Sequence, residues 1–263
     1  MIALKNTSRT ERSVSHSFTW ETPPDAIAVE PDHIHIWKVY PKEIPNTREV
    51  SSTLSLDERN RAARLIDPIK REHFRSARFA LRTILSGYMH MPLEKIQFSY
   101  QGKGKPFIEQ DTQKTSISFN ITHIADLMLV AVSNGVQVGI DLEKQQSVSS
   151  REFIIRQYFS RLDNEYFEGL SEEEKRSAFL CLWTLKEAYA KALGTGFAAA
   201  PEFDYFDKDL FRQMYRDYVV IYPRDDFWFV CFAPQEDYIS SSAIMSSAKP
   251  TPRFYLYEHK KGT

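Results

Sequence analysis

The chain has 263 residues, 42% hydrophobic and 26% charged, with a formal net charge of −1; it is long enough for one large or two small domains with a real core, and too neutral to present a global basic field to nucleic acid. Two cysteines, Cys181 and Cys231, both in apolar surroundings, argue against a disulfide framework and for a reduced, cytoplasmic setting. The polar N-terminus (Asn6, Arg9, Glu11, Arg12) lacks a signal-peptide core, and no apolar run approaches the roughly 20 residues of a membrane span.

In chain order, residues 1–31 read as an irregular leader, rich in Ser and Thr, with Pro23-Pro24. A first strand is expected over His33–Tyr40. Its His33 and His35 have no third ligand at a matching spacing, so an exposed strand face explains them better than a metal does. Ser55-Leu56-Asp57-Glu58 is a capping box that opens a helix to about Ile66. Asp67-Pro68 then supplies the cap and first residue of a second helix, which ends near Gly87. Its apolar stripe is flanked by Arg71, Arg75, Arg78 and Arg82, which face solvent, pair with nearby Glu, or meet a phosphate-bearing ligand or an acidic protein. Strands are expected over 96–100, 106–109 and 116–122. Asn134-Gly135 stands between two β-rich runs and predicts a hairpin over 126–143, because a I′ turn needs positive φ at both positions. Residues 151–169 read as helical with a break near Ser160. Ser171 and Glu174 form another capping box, and the long helix it opens stops at Gly194-Thr195-Gly196. Strands over 218–222, 227–232 and 241–245 complete the chain. The order predicts an α+β fold of two similar halves, each a small, mostly antiparallel sheet packed with helices: 32–133 and 134–263.

Three acids stand out. On a strand, Asp141 and Glu143 share one face while Ile140 and Leu142 take the other. On the long helix, Trp183, Glu187 and Lys191 share a face at spacings of four. If the fold joins them, they form an oxygen-rich site for a hard cation beside a positive charge, suited to chemistry on a phosphate ester. Taken singly, the pair also suits an exposed strand edge, and Glu187–Lys191 a surface salt bridge. The basic, glycine-containing turn Gly102-Lys103-Gly104-Lys105-Pro106 is neither a P-loop nor a dinucleotide fingerprint. His123 ends the strand Phe119-Asn120-Ile121-Thr122-His123.

In this order and spacing, Gly104-Lys105-Pro106, Phe119 to His123, Gly139-Ile140-Asp141-Leu142-Glu143 and Trp183-x-x-Lys186-Glu187-Ala188-x-x-Lys191 resemble the 4′-phosphopantetheinyl transferase superfamily, in its single-chain, surfactin-synthetase-activating type. The resemblance implies transfer of the 4′-phosphopantetheine arm of coenzyme A to a serine of an apo acyl or peptidyl carrier protein. It implies Mg²⁺, and release of adenosine 3′,5′-bisphosphate. It assigns Asp141, Glu143 and Glu187 to the metal, Glu187 to the general base, and Lys191 to the pyrophosphate. It also assigns Lys186 to a phosphate, Thr122 and His123 with neighbouring Asn120 to the 3′-phosphate end, Lys105 to the turn around the adenine nucleotide, and Arg61 to the 3′-phosphate. Thr122 replaces the family's usual serine and keeps its hydroxyl. Glu58 and Tyr100 stand where some relatives carry a base, so those contacts do not carry over. One chain with two halves suits a monomer. Two other classes use the same residues: a Mg²⁺-dependent phosphohydrolase, and a non-catalytic module that binds coenzyme A or a carrier.

Overall fold

A computed structural model of the chain describes residues 13–15, 18–101, 104–108, 117–124, 126–145, 151–196 and 219–259. Gly102 and Lys103 of the basic turn, and the segment 197–218, lie outside the described residues. The strands are β1 (Ser13–Ser15), β2 (His33–Val39), β3 (Phe98–Gln101), β4 (Lys105–Ile108), β5 (Ile117–Ile124), β6 (Leu127–Asn134), β7 (Val138–Lys144), β8 (Val219–Arg224), β9 (Phe227–Phe232), β10 (Tyr238–Met245) and β11 (Thr251–Leu256). The helices are α1 (Arg48–Ser52), α2 (Leu56–Ala63), α3 (Pro68–Met89), α4 (Arg151–Tyr158), α5 (Arg161–Glu168) and α6 (Glu172–Leu193).

The expected caps form. Ser55 and Glu58 close a capping box on α2, Asp67 accepts from the first amides of α3, and Ser171 with Glu174 opens α6. Gly194 ends α6 at φ 72°, a left-handed conformation that a Cβ disfavours.

Two sheets form the centre. One runs β11-β2-β6-β5, the other β1-β8-β9-β10-β7, and β3-β4 stand apart as a ribbon. The two large sheets bury a shared core: Ile34, Ile36, Leu127 and Leu129 from one meet Ile140, Leu142, Val230 and Phe232 from the other. The outer face of the first sheet packs through Val130 and Val132 on Leu81, Leu85 and Tyr88 of α3. The outer face of the second packs through Phe229 and Ala243 on Leu185 and Ala188 of α6. The layers therefore run helix, sheet, sheet, helix, with a helix of 22 residues on each outside. This is the expected α+β fold with two similar halves.

Three expectations need correction. β6 and β7 are not a hairpin: β6 pairs with β2 and β5, whereas β7 pairs with β10. Gly135 has φ 71°, but Asn134 remains in β6 and is not among the positive-φ residues. The I′ turn does not form, and the chain changes sheets there. The tight antiparallel pair is β5–β6, in register from Ile117↔Asn134 to Ile124↔Leu127. Second, the leader is not wholly irregular. β1 pairs antiparallel with β8, and Ile27 and Val29 enter the core of the first half. Third, β11 was not expected. It lies parallel to β2 and places the C-terminal strand in the N-terminal sheet. Each half thus completes its sheet with a strand from the far end of the chain.

Candidate active site

The site lies where β7 meets α6. Val138, Ile140 and Leu142 point into the core between the sheets, so Asp141 and Glu143 face the helix side, as the alternation requires. α6 crosses β7 in backbone contact. A Cβ on Gly139 would collide with the carbonyl oxygen of Ala188 and the amide nitrogen of Ala192. A glycine at this crossing lets the helix sit on the strand and brings Lys191 over Asp141.

Lys191 Nζ donates to Asp141 Oδ1 (2.6 Å), to Ile140 O (3.2 Å) and to Thr122 Oγ1 (3.4 Å). Thr122 Oγ1 also lies 3.4 Å from Asp141 Oδ1. The other carboxylate oxygen, Asp141 Oδ2, is buried and has no hydrogen-bond partner. Burial raises the pKa of Asp141, and the charge and hydrogen bond of Lys191 oppose that rise. Burial, then the charge of Asp141, pushes Glu187 up to about 7; Lys191 opposes this and Glu143 adds to it. Glu143 accepts from the indole Nε1 of Trp183 at 3.1 Å. Trp183 stacks on Phe179, with ring planes 14° apart, which holds the indole in place.

The three acids therefore share one electrostatic neighbourhood. Among the described residues no three acidic, His or Cys side chains converge into a closed metal cage. An unpartnered, buried carboxylate oxygen and a Glu strained by neighbouring acids fit an open cation site. Mg²⁺ suits such a site, since it keeps waters and takes a substrate phosphate among its ligands. The fit rests on these donors.

The other expected residues divide. His123 stands at the surface over the site, where partial burial, then Lys191 and Arg78, lower its imidazole pKa. Arg61 lies over the Phe74 ring, and Arg78 over Phe74 and Phe98. Arg78 Nη1 is buried without a hydrogen-bond partner. Arg61 and Arg78 thus share the Phe74 ring as a pair of cations, and the charge of Arg78 reaches His123, whose imidazole is held towards its neutral form.

Three residues expected on the ligand are held elsewhere. Lys186 is fully buried and pairs with the equally buried Asp163 of α5 at 3.1 Å, so it does not reach a phosphate at the site. Residues 186 and 187 are adjacent on the helix and point about 100° apart, which separates the one from the other. Asn120 is buried, and its Oδ1 accepts from Ile140 N at 3.0 Å, joining β5 to β7 where no ladder does. Lys105 Nζ donates to Val138 O (3.0 Å) and Ala192 O (2.9 Å), turned into the protein rather than around a ligand.

The arginine row divides too. Arg82 is fully buried, pairs with Glu58 at 2.7 Å and donates to Leu93 O and Ile96 O. Arg71 holds Leu65 O. Sequence reasoning missed Trp183 as a partner of Glu143, although its place on the Glu187 face was the available signal. It also missed Ser240 and Ser242. Their hydroxyls donate to Asp141 O (2.7 Å) and Gly139 O (2.8 Å) and brace β7 from β10; three consecutive serines in a strand carried no such signal.

Comparison with known proteins agrees with this geometry. A family model described as the 4′-phosphopantetheinyl transferase superfamily matches residues 137–243, and one described as 4′-phosphopantetheinyl transferase, N-terminal, matches residues 37–135. The chain is 34% identical over 188 residues to the 4′-phosphopantetheinyl transferase HetI of Nostoc sp., covering 71% of this chain and 79% of that protein. It is 28% identical over 180 residues to a putative 4′-phosphopantetheinyl transferase of Synechocystis sp., covering 68% and 72%. It is 31% identical over 147 residues to the transferase gsp of Aneurinibacillus migulanus, covering 54% and 59%. With both halves matched and the acids and Lys191 joined at one crossing, the chain belongs to the 4′-phosphopantetheinyl transferase superfamily, as an enzyme of the single-chain, two-half type.

Proposed function

We propose that the protein transfers the 4′-phosphopantetheine arm of coenzyme A to a serine of an apo acyl or peptidyl carrier protein, with Mg²⁺, releasing adenosine 3′,5′-bisphosphate. The observation that carries this reading is Glu187. Its carboxyl is raised to about 7 and sits on the same helix face as Lys191, which grips Asp141. That value belongs to the metal-free protein; a cation at the site would favour the ionised carboxylate, the form that accepts a hydroxyl proton.

Asp141, Glu143 and Glu187 would hold the cation, which supplies neutralisation of the pyrophosphate charge. Glu187 accepts the serine proton, directly or through water. The serine oxygen attacks the phosphorus that carries pantetheine, and the bond to the bridging oxygen breaks. The nucleotide phosphate leaves with the electron pair, and the ammonium of Lys191 stabilises that charge. Thr122 keeps Lys191 oriented. Arg61 and Arg78 supply positive charge for the 3′-phosphate, and His123, whose pKa is lowered by burial and by Lys191 and Arg78, offers a ring N–H as donor. The enzyme works as a monomer, since one chain supplies every group, and in the cytoplasm, where its two free cysteines stay reduced.

The test is direct. Protein, coenzyme A, Mg²⁺ and an apo carrier are mixed and the carrier is weighed by mass spectrometry. The carrier gains one phosphopantetheine arm. No gain over several unrelated carriers, or steady release of nucleotide without any carrier, overturns the proposal. Glu187→Gln and Asp141→Ala lose about 10²-fold or more in kcat while keeping the far-UV circular dichroism of the parent.

A further inference from the structure

The outer edge of β7 faces β5, but no strand ladder closes it. Side chains satisfy its backbone instead. Val138 O accepts from Lys105, Ile140 N donates to Asn120, and Ile140 O accepts from Lys191. Lys105 also reaches Ala192 O. Ala192 lies in the last turn of α6, where carbonyls have no partner within the helix and the helix dipole favours a cation. Gly194 N closes on Ala190 O, and Lys105 Nζ donates to Ala192 O from outside the helix. One ammonium, carried on β4, thus ties β7 to the end of α6. No carboxylate pairs with it among the described residues. Burial lowers its pKa to about 8, in keeping with an interior position.

The two carbonyls that Lys105 holds flank the reacting groups. Ala192 follows Lys191, and Val138 stands three residues before Asp141. A Lys105 ammonium drawn out to a ligand phosphate would leave both carbonyls without that donor. We infer that Lys105 is a positioning residue: its ammonium sets the separation between the end of α6 and β7, and so the placement of Lys191 and Glu187 against Asp141, rather than contacting the nucleotide. The kinetic part of this inference rests on the proposed transfer; the structural part does not.

Lys105→Met keeps the length of the side chain and removes its donors, and Lys105→Arg keeps a donor in reach. Three quantities are measured on the full chain: kcat for an apo carrier, the Kd for coenzyme A by calorimetry, and amide hydrogen exchange at residues 188–193 without ligand. For Lys105→Met we expect kcat to fall about tenfold or more while Kd moves less than about threefold. Exchange in the last turn of α6 rises, and Lys105→Arg recovers part of each loss. A large rise in Kd with kcat and exchange unchanged makes Lys105 a ligand contact and overturns the inference. No change in any quantity overturns it as well. If the parent protein modifies no carrier, the proposed function fails, and the exchange comparison of Met and Arg variants still decides the strut.

Discussion

Glu187 carries the clearest electrostatic signature of any group at the site. Burial is the first cause of its rise to about 7, and the charges of Asp141 and then Glu143 add to it against Lys191. The sign follows: below about pH 7 the metal-free protein holds Glu187 neutral, and above it the carboxylate is ionised and able to accept a proton. Asp141→Asn removes one like charge and frees the Lys191 ammonium, so both changes favour the ionised form. The carboxyl midpoint of Glu187, followed by carbon NMR on metal-free protein, is therefore expected near 7 in the parent and lower in Asp141→Asn, yet still above an ordinary glutamate. A midpoint that stays put would mean that burial alone sets it. Legibility divided at this scale by what a side chain needs from its surroundings. Asp141, Glu143, Glu187 and Lys191 were readable because strand and helix periods put them on shared faces. Lys105, Asn120 and Lys186 share the motif residues' neighbourhood in sequence, but their partners are a carbonyl, an amide and Asp163, 20 residues or more away along the chain. No local pattern announces such partners.

At the scale of elements, the crossing of α6 over β7 and the anchoring of α5 on α6 do the positioning. Gly139→Ala puts a methyl into the backbone of α6 at Ala188 and Ala192, which cannot yield as a flexible side chain would. The helix must lift or the strand must bend. A loss of about 2–4 kcal/mol by urea denaturation is expected, with a fall in transfer beyond what the unfolded fraction explains. The pair Lys186–Asp163 makes a different prediction. α4, α5 and the first half of α6 bury their own cluster, with Phe159, Phe167, Phe179 and Leu182, and the ion pair lies within it. Lys186→Met strands the Asp163 charge and is expected to cost about 3–5 kcal/mol, while Lys186→Met with Asp163→Leu recovers most of that loss. The coenzyme A affinity of the folded double variant, measured by calorimetry, should match the parent. A large loss of affinity would return Lys186 to the ligand. The capping boxes of α2 and α6 were legible because their partners lie three residues apart. The Asn134-Gly135 hairpin misled because turn chemistry reports a reversal, not which sheet receives the next strand.

At the scale of the molecule, the halves exchange strands. β1 is an edge of the C-terminal sheet and β11 an edge of the N-terminal one. Neither strand was legible. β1 is three residues long, and β11 follows Pro250 and contains Pro252, a pattern that argues against a strand unless it lies at an edge. At the edge of β2, the missing N–H of Pro252 leaves an otherwise complete ladder from Thr251↔His33 to Leu256↔Lys38. Phe254 extends this tie. Its ring lies 5.1 Å from Phe232 of β9 and 4.1 Å from Phe18 of the leader, so one C-terminal side chain joins both sheets and the N-terminal segment. A chain tied in this way should unfold as one unit, although its length would permit two. Trp37 stands in one sheet and Trp228 in the other, which lets fluorescence report both. Urea unfolding followed by tryptophan emission and by far-UV circular dichroism is expected to give coincident single transitions. Removing residues 251–263 bares the edge of β2 and takes Phe254 from the shared core, so both probes should shift together to lower urea, with a larger effect than Phe254→Ala alone, about 3–5 kcal/mol. Two separated transitions in the parent, or a truncation that weakens one probe and spares the other, would show that the sheets fold independently and that the exchanged strands only decorate them.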